Sequence, residues 1–323
     1  MTYTIDIHLS PDEVRQRMRA DALSGLRADT KSIPPVWFYD ERGSQLFEEI
    51  TRLPEYYPTR AERLLLERYA PTVAELSKAD TLVELGAGAC DKTRVLLSAL
   101  QQFGTLAKYV PFDVSDEFLR DAASSLSSEY HGLQVHLVIG DFSEHLAQIP
   151  TDGRRMVAFL GGTIGNLDPG QRREFFMQLG KTMSGEDRLL LGTDLVKDRA
   201  RLVLAYDDGA GVTAEFNRNV LHVLNRELGA DFDPEGFEHV ARWNEEDHRI
   251  EMWLRSSEDQ RISVGDLDLE VEFAAGEEML TEISTKFSSE SLEAELRECG
   301  FIAESMWTSD GDEFLVTLAR PSS

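Results

Sequence analysis

Three carboxylates sit where apolar runs end along the middle of the chain. Residues 82–93 read LVELGAGACDKT, in which an apolar run closes on Glu84 and Gly86 and Gly88 follow at alternate positions. KYVPFDVS (108–115) closes on Asp113, 27 residues after Gly86. LQVHLVIGDF (133–142) closes on Asp141 with Phe142 beside it. A strand–glycine–helix turn lets backbone approach a nucleotide-like ligand without a Cβ in the way. A carboxylate at the end of the next strand can accept from both hydroxyls of a ribose. A third carboxylate can take the amino group of an adenine, with an aromatic ring packed on its face.

Two cofactor classes use this geometry. The dinucleotide fingerprint G-x-G-x-x-G wants a third glycine where this chain has Asp91, and a carboxylate at a helix start repels a pyrophosphate. S-adenosylmethionine sheets carry a first loop of the form E/D-x-G-x-G-x-G. Glu84, Gly86 and Gly88 fit it, and Cys90 stands in the last glycine position. That ligand has a sulfonium, an amino-acid end and a ribose but no phosphate, so nearby acids suit it. The expectation is S-adenosylmethionine held at the glycine loop by Glu84, Gly86 and Gly88, with Asp113, Asp141 and Phe142 on the next two strands. The seven histidines show no tight ligand spacing, and no metal is expected.

The elements that must position these residues alternate. TLVELGAG (81–88), KYVPFDVS, LQVHLVIGDF, RRMVAFLGGTIGNL (154–167) and DRLLLGTDLV (187–196) read as strands, with helical spacing over 91–103, 116–128 and from Asp168-Pro169 to Met183. Strands apolar on both faces and separated by helices predict a parallel sheet covered on both sides. After residue 196 the rhythm changes. Helices are expected near 199–208 and 212–229. RIEMWLR (249–255) then alternates, and DLDLEVEF (266–273) alternates strictly, the signature of half-buried antiparallel strands. A helix near 289–299 and strands at 301–309 and 312–320 look like a hairpin closing the first sheet. The fold class is therefore α/β. A Rossmann-like class I methyltransferase sheet of seven strands, with a terminal antiparallel hairpin, is joined to a second α+β region. Residues 61–196 and 287–323 are assigned to cofactor binding, and 1–60 with 197–286 to substrate recognition.

A chain of 323 residues can bury a large core, and 41% hydrophobic with 28% charged residues is ordinary for a soluble protein. A formal net charge of −26 argues against nucleic acid or an anionic membrane as partner. There is no apolar run of membrane-spanning length, no secretory pattern at the start, and only two cysteines, Cys90 and Cys299. A cytoplasmic setting and a monomer acting on a small molecule are expected.

Larger blocks are more specific than the glycine loop. KSIPPVWFYDERGSQLFEEITRLPEYYPTRAE (31–62), VELGAG, PFDV, GDF, FLGGTIGNL, LLLGTDLVKD and AAGEEMLTEISTKF together resemble the histidine-specific Nα-methyltransferases of ergothioneine biosynthesis. The resemblance covers roughly 31–320. It implies transfer of three methyl groups from S-adenosylmethionine to the α-amino nitrogen of free L-histidine, giving hercynine. It also implies that Gly86, Lys92, Asp113, Asp141 and Phe142 hold the cofactor, with Lys92 toward its carboxylate, and that Tyr56, Asn166, Tyr206, Glu282 and Ser284 hold the substrate, with Tyr39 and Phe47 in an aromatic wall near the amine.

The residue types fit that chemistry. Tyr56, Tyr206 and Asn166 offer hydroxyls and an amide to a carboxylate. Glu282 and Ser284 are two apart, so on an extended segment both face one way and can serve the two ring nitrogens of an imidazole. Methyl transfer needs a neutral, aligned amine more than a strong electrophile. Tyr39 and Asn166 are the candidates for orienting that amine, and the rings of Tyr39 and Phe47 can stabilise a methylated ammonium. Glu282 and Ser284 by themselves leave open another small amino acid or amine as acceptor. A cofactor-binding scaffold without turnover would not need the substrate set.

Overall fold

The computed structural model describes residues 3–88, 92–114 and 116–322. The readings of Cys90 and Asp91 lie outside these residues. The chain divides into two compact units, one of Met1–Ser10, Pro58–Val196 and Phe287–Ser323, the other of Pro11–Tyr57 and Lys197–Lys286.

The first unit is built on one sheet. Its strands lie in the order Thr4–Ile7, Gln134–Ile139, Lys108–Asp113, Thr81–Leu85, Arg155–Phe159, Arg188–Asp194, Phe314–Pro321 and Phe301–Thr308. The first six are mutually parallel, and Phe314–Pro321 runs antiparallel to both its neighbours. Successive residues of each central strand bury on opposite faces. Leu82, Tyr109, Leu137 and Met156 belong to one core and Val83, Val110, Val138 and Val157 to the other. This two-sided burial is why the strands read as continuous apolar runs.

Seven strands were expected and an eighth is present. Thr4–Ile7 pairs in parallel with Gln134–Ile139, from Thr4 opposite His136 to Ile7 opposite Ile139. Residues 4–10 therefore lie in the first unit, whereas the sequence reading placed them with the second. The strand is four residues long with a polar Asp6 at mid-strand, too short and too mixed to show a period.

The second unit has a four-stranded sheet ordered Lys31–Ser32, Glu278–Thr285, Arg249–Ser256 and Phe237–Asn244. The Val212–Leu228 helix packs Phe216, Val220 and Leu224 into its core. A separate hairpin joins Gln260–Val264 to Leu269–Phe273. The expected strand over 266–273 is thus cut short at its start. Gly265–Leu267 form a helical turn and Asp268 takes a left-handed φ of 48°, because the chain must reverse there.

One irregularity matters for function. Pairing of Glu278–Thr285 with Arg249–Ser256 puts Leu280 opposite Trp253 but Glu282 opposite Met252, leaving Thr281 as the extra residue of a β-bulge. Before it the odd-numbered Met279 and Thr281 are buried. After it the even-numbered Glu282, Ser284 and Lys286 are. The bulge exchanges the faces, as a one-residue slip must.

Candidate functional site

The glycine loop in the first unit leaves the Thr81–Leu85 strand through Gly86 and Gly88, both at positive φ (66° and 48°). A Cβ at either would meet no described residue within 4 Å, so they leave open space among these residues. Gly86 N–H donates to Phe112 O (2.8 Å), and Gly88 N–H donates to Asp113 Oδ2 (3.2 Å). Asp113 thus sits at the end of the adjacent strand with its carboxylate against the loop. Asp141 lies two residues past its strand. Its Oδ1 accepts from the Ser143 N–H (2.7 Å) and hydroxyl (2.6 Å), so this carboxylate also shapes its own turn. The Phe142 ring is held edge-on by Phe159, centroids 5.2 Å apart. All these groups stand at carboxyl ends of parallel strands, where open α/β sheets bind ligands. Open space at two glycines, a carboxylate on the neighbouring strand and a fixed ring fit an adenosyl ligand with no phosphate.

Glu84, the first acid of the motif, points into the core. It accepts from the Tyr109 hydroxyl (2.7 Å) and from the Thr93 hydroxyl at the start of the following helix. Burial pushes its carboxyl up to about 7, against the pull of those two hydrogen bonds and of Lys92. Because this pKa is raised above the ordinary value, the group's support for folding is complete only below about pH 4.5 and is lost as pH rises through 7. Glu84→Gln should therefore gain on the wild type in thermal stability between about pH 5 and about pH 8, by on the order of 3 kcal/mol. A pH-independent difference in melting temperature would contradict this.

Lys92 is paired with Glu62, a carboxylate that is completely buried and whose Oε1 accepts from Gly161 N–H (2.8 Å). Sequence reading missed Glu62, and a single acid in an amphipathic helix gives no signal. Asn166 ends the short helical turn Thr163–Asn166 and is half-buried.

The remaining candidates gather in the second unit. Tyr39, Phe47, Tyr56 and Tyr206 form a chain of edge-to-face rings, with centroid separations of 5.6, 6.3 and 6.2 Å, and Phe216 touches both Tyr39 and Phe47. Tyr39 follows a tight turn, and Phe47 rides on the Glu41–Arg52 helix, capped by Asp40. Gly43 is required at that junction, since a Cβ there would lie 1.7 Å from Phe38 O. The rings of Phe47, Tyr56, Tyr206 and Phe216 line a narrow cleft that also includes Met252 and Glu282. Glu282 is 8% exposed and hydrogen-bonds to no described residue. Burial pushes its carboxyl up to about 7, and the charge of Lys286 alone pulls it back. Beside it, Ser284 Oγ lies 2.8 Å from the Tyr206 hydroxyl, and Lys286 Nζ donates to both oxygens (2.7 and 2.8 Å). Lys286 was not among the expected residues. It continues the two-residue period of Glu282 and Ser284, which is the signal that could have found it.

The polar groups of this cleft match a ring carrying both a donor and an acceptor, and its aromatic faces match a cationic neighbour. Among the described residues no group of three or more His, Cys, Asp or Glu could hold a metal ion, and no helix is long and apolar enough to cross a membrane.

Comparison with known proteins is decisive at the family level. The family model described as "Histidine-specific methyltransferase, SAM-dependent" matches residues 18–321. The chain is 54% identical over 319 residues to the histidine N-alpha-methyltransferase of Mycobacterium tuberculosis, covering 99% of each. It is 53% identical, with the same coverage, to that of Mycolicibacterium smegmatis. It is 28% identical to the Neurospora crassa ergothioneine biosynthesis protein 1, of which it spans 36%. The sheet order, with the antiparallel Phe314–Pro321 strand slotted between Arg188–Asp194 and Phe301–Thr308, is that of Rossmann-like class I methyltransferases. The chain belongs to the family of histidine-specific, S-adenosylmethionine-dependent methyltransferases.

Proposed function

We infer that this enzyme transfers three methyl groups from S-adenosylmethionine to the α-amino nitrogen of L-histidine, giving hercynine for ergothioneine biosynthesis. The full-length match to histidine N-alpha-methyltransferases carries this reading. The buried Glu282 carboxylate in an aromatic cleft supports the choice of an imidazole side chain.

When bound, S-adenosylmethionine supplies an electrophilic methyl group. The residues of the chain bind and orient. In this proposal Asp113 takes the ribose hydroxyls and Asp141 the adenine amino group, with Phe142 on the ring face. Gly86 leaves room for the ligand backbone, and Lys92, steered by Glu62, meets its carboxylate. Glu282 accepts an imidazole N–H and Ser284 serves the other nitrogen. Tyr56 and Asn166 bind the carboxylate, Tyr206 forms the wall beside Ser284, and Asn166 with Tyr39 orients the amine. Fixing the amine on line with the methyl group supplies on the order of 7–11 kcal/mol of the acceleration. The rings of Tyr39 and Phe47 stabilise the positive charge that grows on nitrogen, by about 0.5–2 kcal/mol. The proposal extends to a monomeric cytoplasmic enzyme without nucleic-acid or membrane partners, in keeping with a net charge of −26 and only two cysteines.

The test is direct. The protein is incubated with S-adenosylmethionine and a panel of free amino acids, and the mass of each is followed. The expected result is a gain of three methyl groups on histidine alone. Methylation confined to another amino acid, or none, refutes the reading.

A further inference from the structure

We propose that Lys286 is a positioning residue for substrate recognition. Its ammonium holds the Ser284 hydroxyl as a hydrogen-bond donor into the cleft, so that the site takes a neutral imidazole with its bare nitrogen toward Ser284 and its N–H toward Glu282. The proposal rests on the reading of Glu282 and Ser284 as the imidazole partners.

The geometry is a closed triangle. Lys286 is 2% exposed. Its backbone N–H is fixed to His248 O (2.7 Å), and its Nζ donates to Ser284 Oγ and to the Tyr206 hydroxyl. An ammonium can only donate, so it occupies a lone pair on each hydroxyl oxygen. The two hydroxyls are 2.8 Å apart and share one hydrogen bond. A phenol is the stronger acid, so Tyr206 donates and Ser284 accepts. Both lone pairs of Ser284 Oγ are then used, and what it has left to offer is its hydrogen. A ligand atom facing Ser284 must be an acceptor. Glu282, on the same face after the bulge, is a carboxylate that asks for a donor. A neutral imidazole presents one of each, an imidazolium presents two donors, and a benzene or thiophene ring presents neither.

The triangle is braced from behind. The Tyr206 carbonyl accepts from His239 Nε2 (2.8 Å), and His239 Nδ1 accepts from Asn217 Nδ2 (2.8 Å). Burial lowers the pKa of His239, in keeping with a neutral ring in that tautomer. Asn217 Oδ1 in turn accepts from the hydroxyl of Thr281, the bulge residue (2.6 Å). One polar network thus ties the bulge that turns Ser284 inward to the tyrosine that fixes its proton. Such a network specifies a single arrangement when its members are satisfied.

The test compares L-histidine with the two pyrrolylalanines, each of which keeps one ring N–H and carries C–H in place of the other nitrogen. The wild type should favour histidine over the better pyrrolylalanine by about 10–100-fold in kcat/KM. In Lys286→Met that preference should fall to within about threefold, through the histidine KM, with the calorimetric affinity for S-adenosylmethionine unchanged. Adding Lys286→Met to Ser284→Ala should not change the preference further, because the two act through one hydroxyl. A Lys286→Met enzyme that loses the same factor on all three substrates, or effects that add in the double variant, would overturn the proposal. Should Lys286→Met not fold, Lys286→Gln is read in the same assay, and a preference kept at the wild-type ratio overturns the proposal. A wild type that does not distinguish histidine from the pyrrolylalanines defeats the imidazole reading itself, a different outcome from the failure of Lys286 alone.

Discussion

Replacing Glu282 by alanine raises the KM for L-histidine by about 100-fold or more and leaves the affinity for S-adenosylmethionine within about twofold. The carboxylate hydrogen-bonds to no described residue, and the charge of Lys286 acts against the effect of its burial. An imidazole N–H would therefore supply a buried acceptor with its missing donor, and a site built this way discriminates strongly against ligands that cannot do so. Glu282→Gln keeps the shape and one acceptor oxygen, so it should lose about tenfold rather than a hundredfold. The two variants also differ from the wild type in pH dependence. Burial raises this carboxyl to about 7. The charged, accepting form therefore appears as pH rises through 7. The ratio of kcat/KM between wild type and Glu282→Gln should grow across that interval, and the titration of histidine itself cancels in the ratio. Steady-state kinetics and calorimetry check each part. An equal fall in cofactor affinity would make Glu282 a structural residue.

The position of Glu282 shows where sequence reading stopped. Period two across EMLTEISTKF can be read directly, and it correctly pairs Glu282 with Ser284. Extended without a break from Met279, the same period would put Ile283 inward and both polar residues in solvent. The bulge at Thr281 reverses that, and it is held by a long-range hydrogen bond from Thr281 to Asn217 that no local pattern encodes. The central strands were legible for the opposite reason. Burial on both faces leaves runs such as LLLG and MVAF that turn chemistry brackets cleanly. The Thr4–Ile7 strand pairs with residues more than a hundred positions away and has one half-polar face, so its place in the sheet depends on topology rather than on pattern. Glu84 was legible as part of a motif but not in its role. Its carboxylate braces Thr93 and Tyr109 inside the core. Glu62 and Lys286 are charged residues whose burial is set by partners far along the chain, and burial of single charges is what composition predicts least.

Asp113 carries the complementary prediction, a loss confined to the cofactor. It stands half-buried at the end of a central strand, and its Oδ2 accepts from the Gly88 N–H at 3.2 Å. It therefore has two separable tasks, bracing the glycine loop and, as proposed, accepting from the ribose. Asp113→Ala removes both and should weaken S-adenosylmethionine binding by about 100-fold, because hydrogen bonds to a charged acceptor contribute about 1.5–3 kcal/mol each. Asp113→Asn keeps an oxygen for Gly88 but loses the charge and one acceptor. It should weaken binding by about tenfold if the ribose is the partner, and hardly at all if the loop is. At saturating cofactor the histidine KM of both variants should stay within about twofold of wild type, the reverse of what Glu282→Ala does. Calorimetric titration of S-adenosylmethionine, set beside histidine kinetics on the same preparations, measures the two effects independently. Wild-type affinity in Asp113→Asn would reduce Asp113 to a brace for the loop and leave the ribose without its assigned partner.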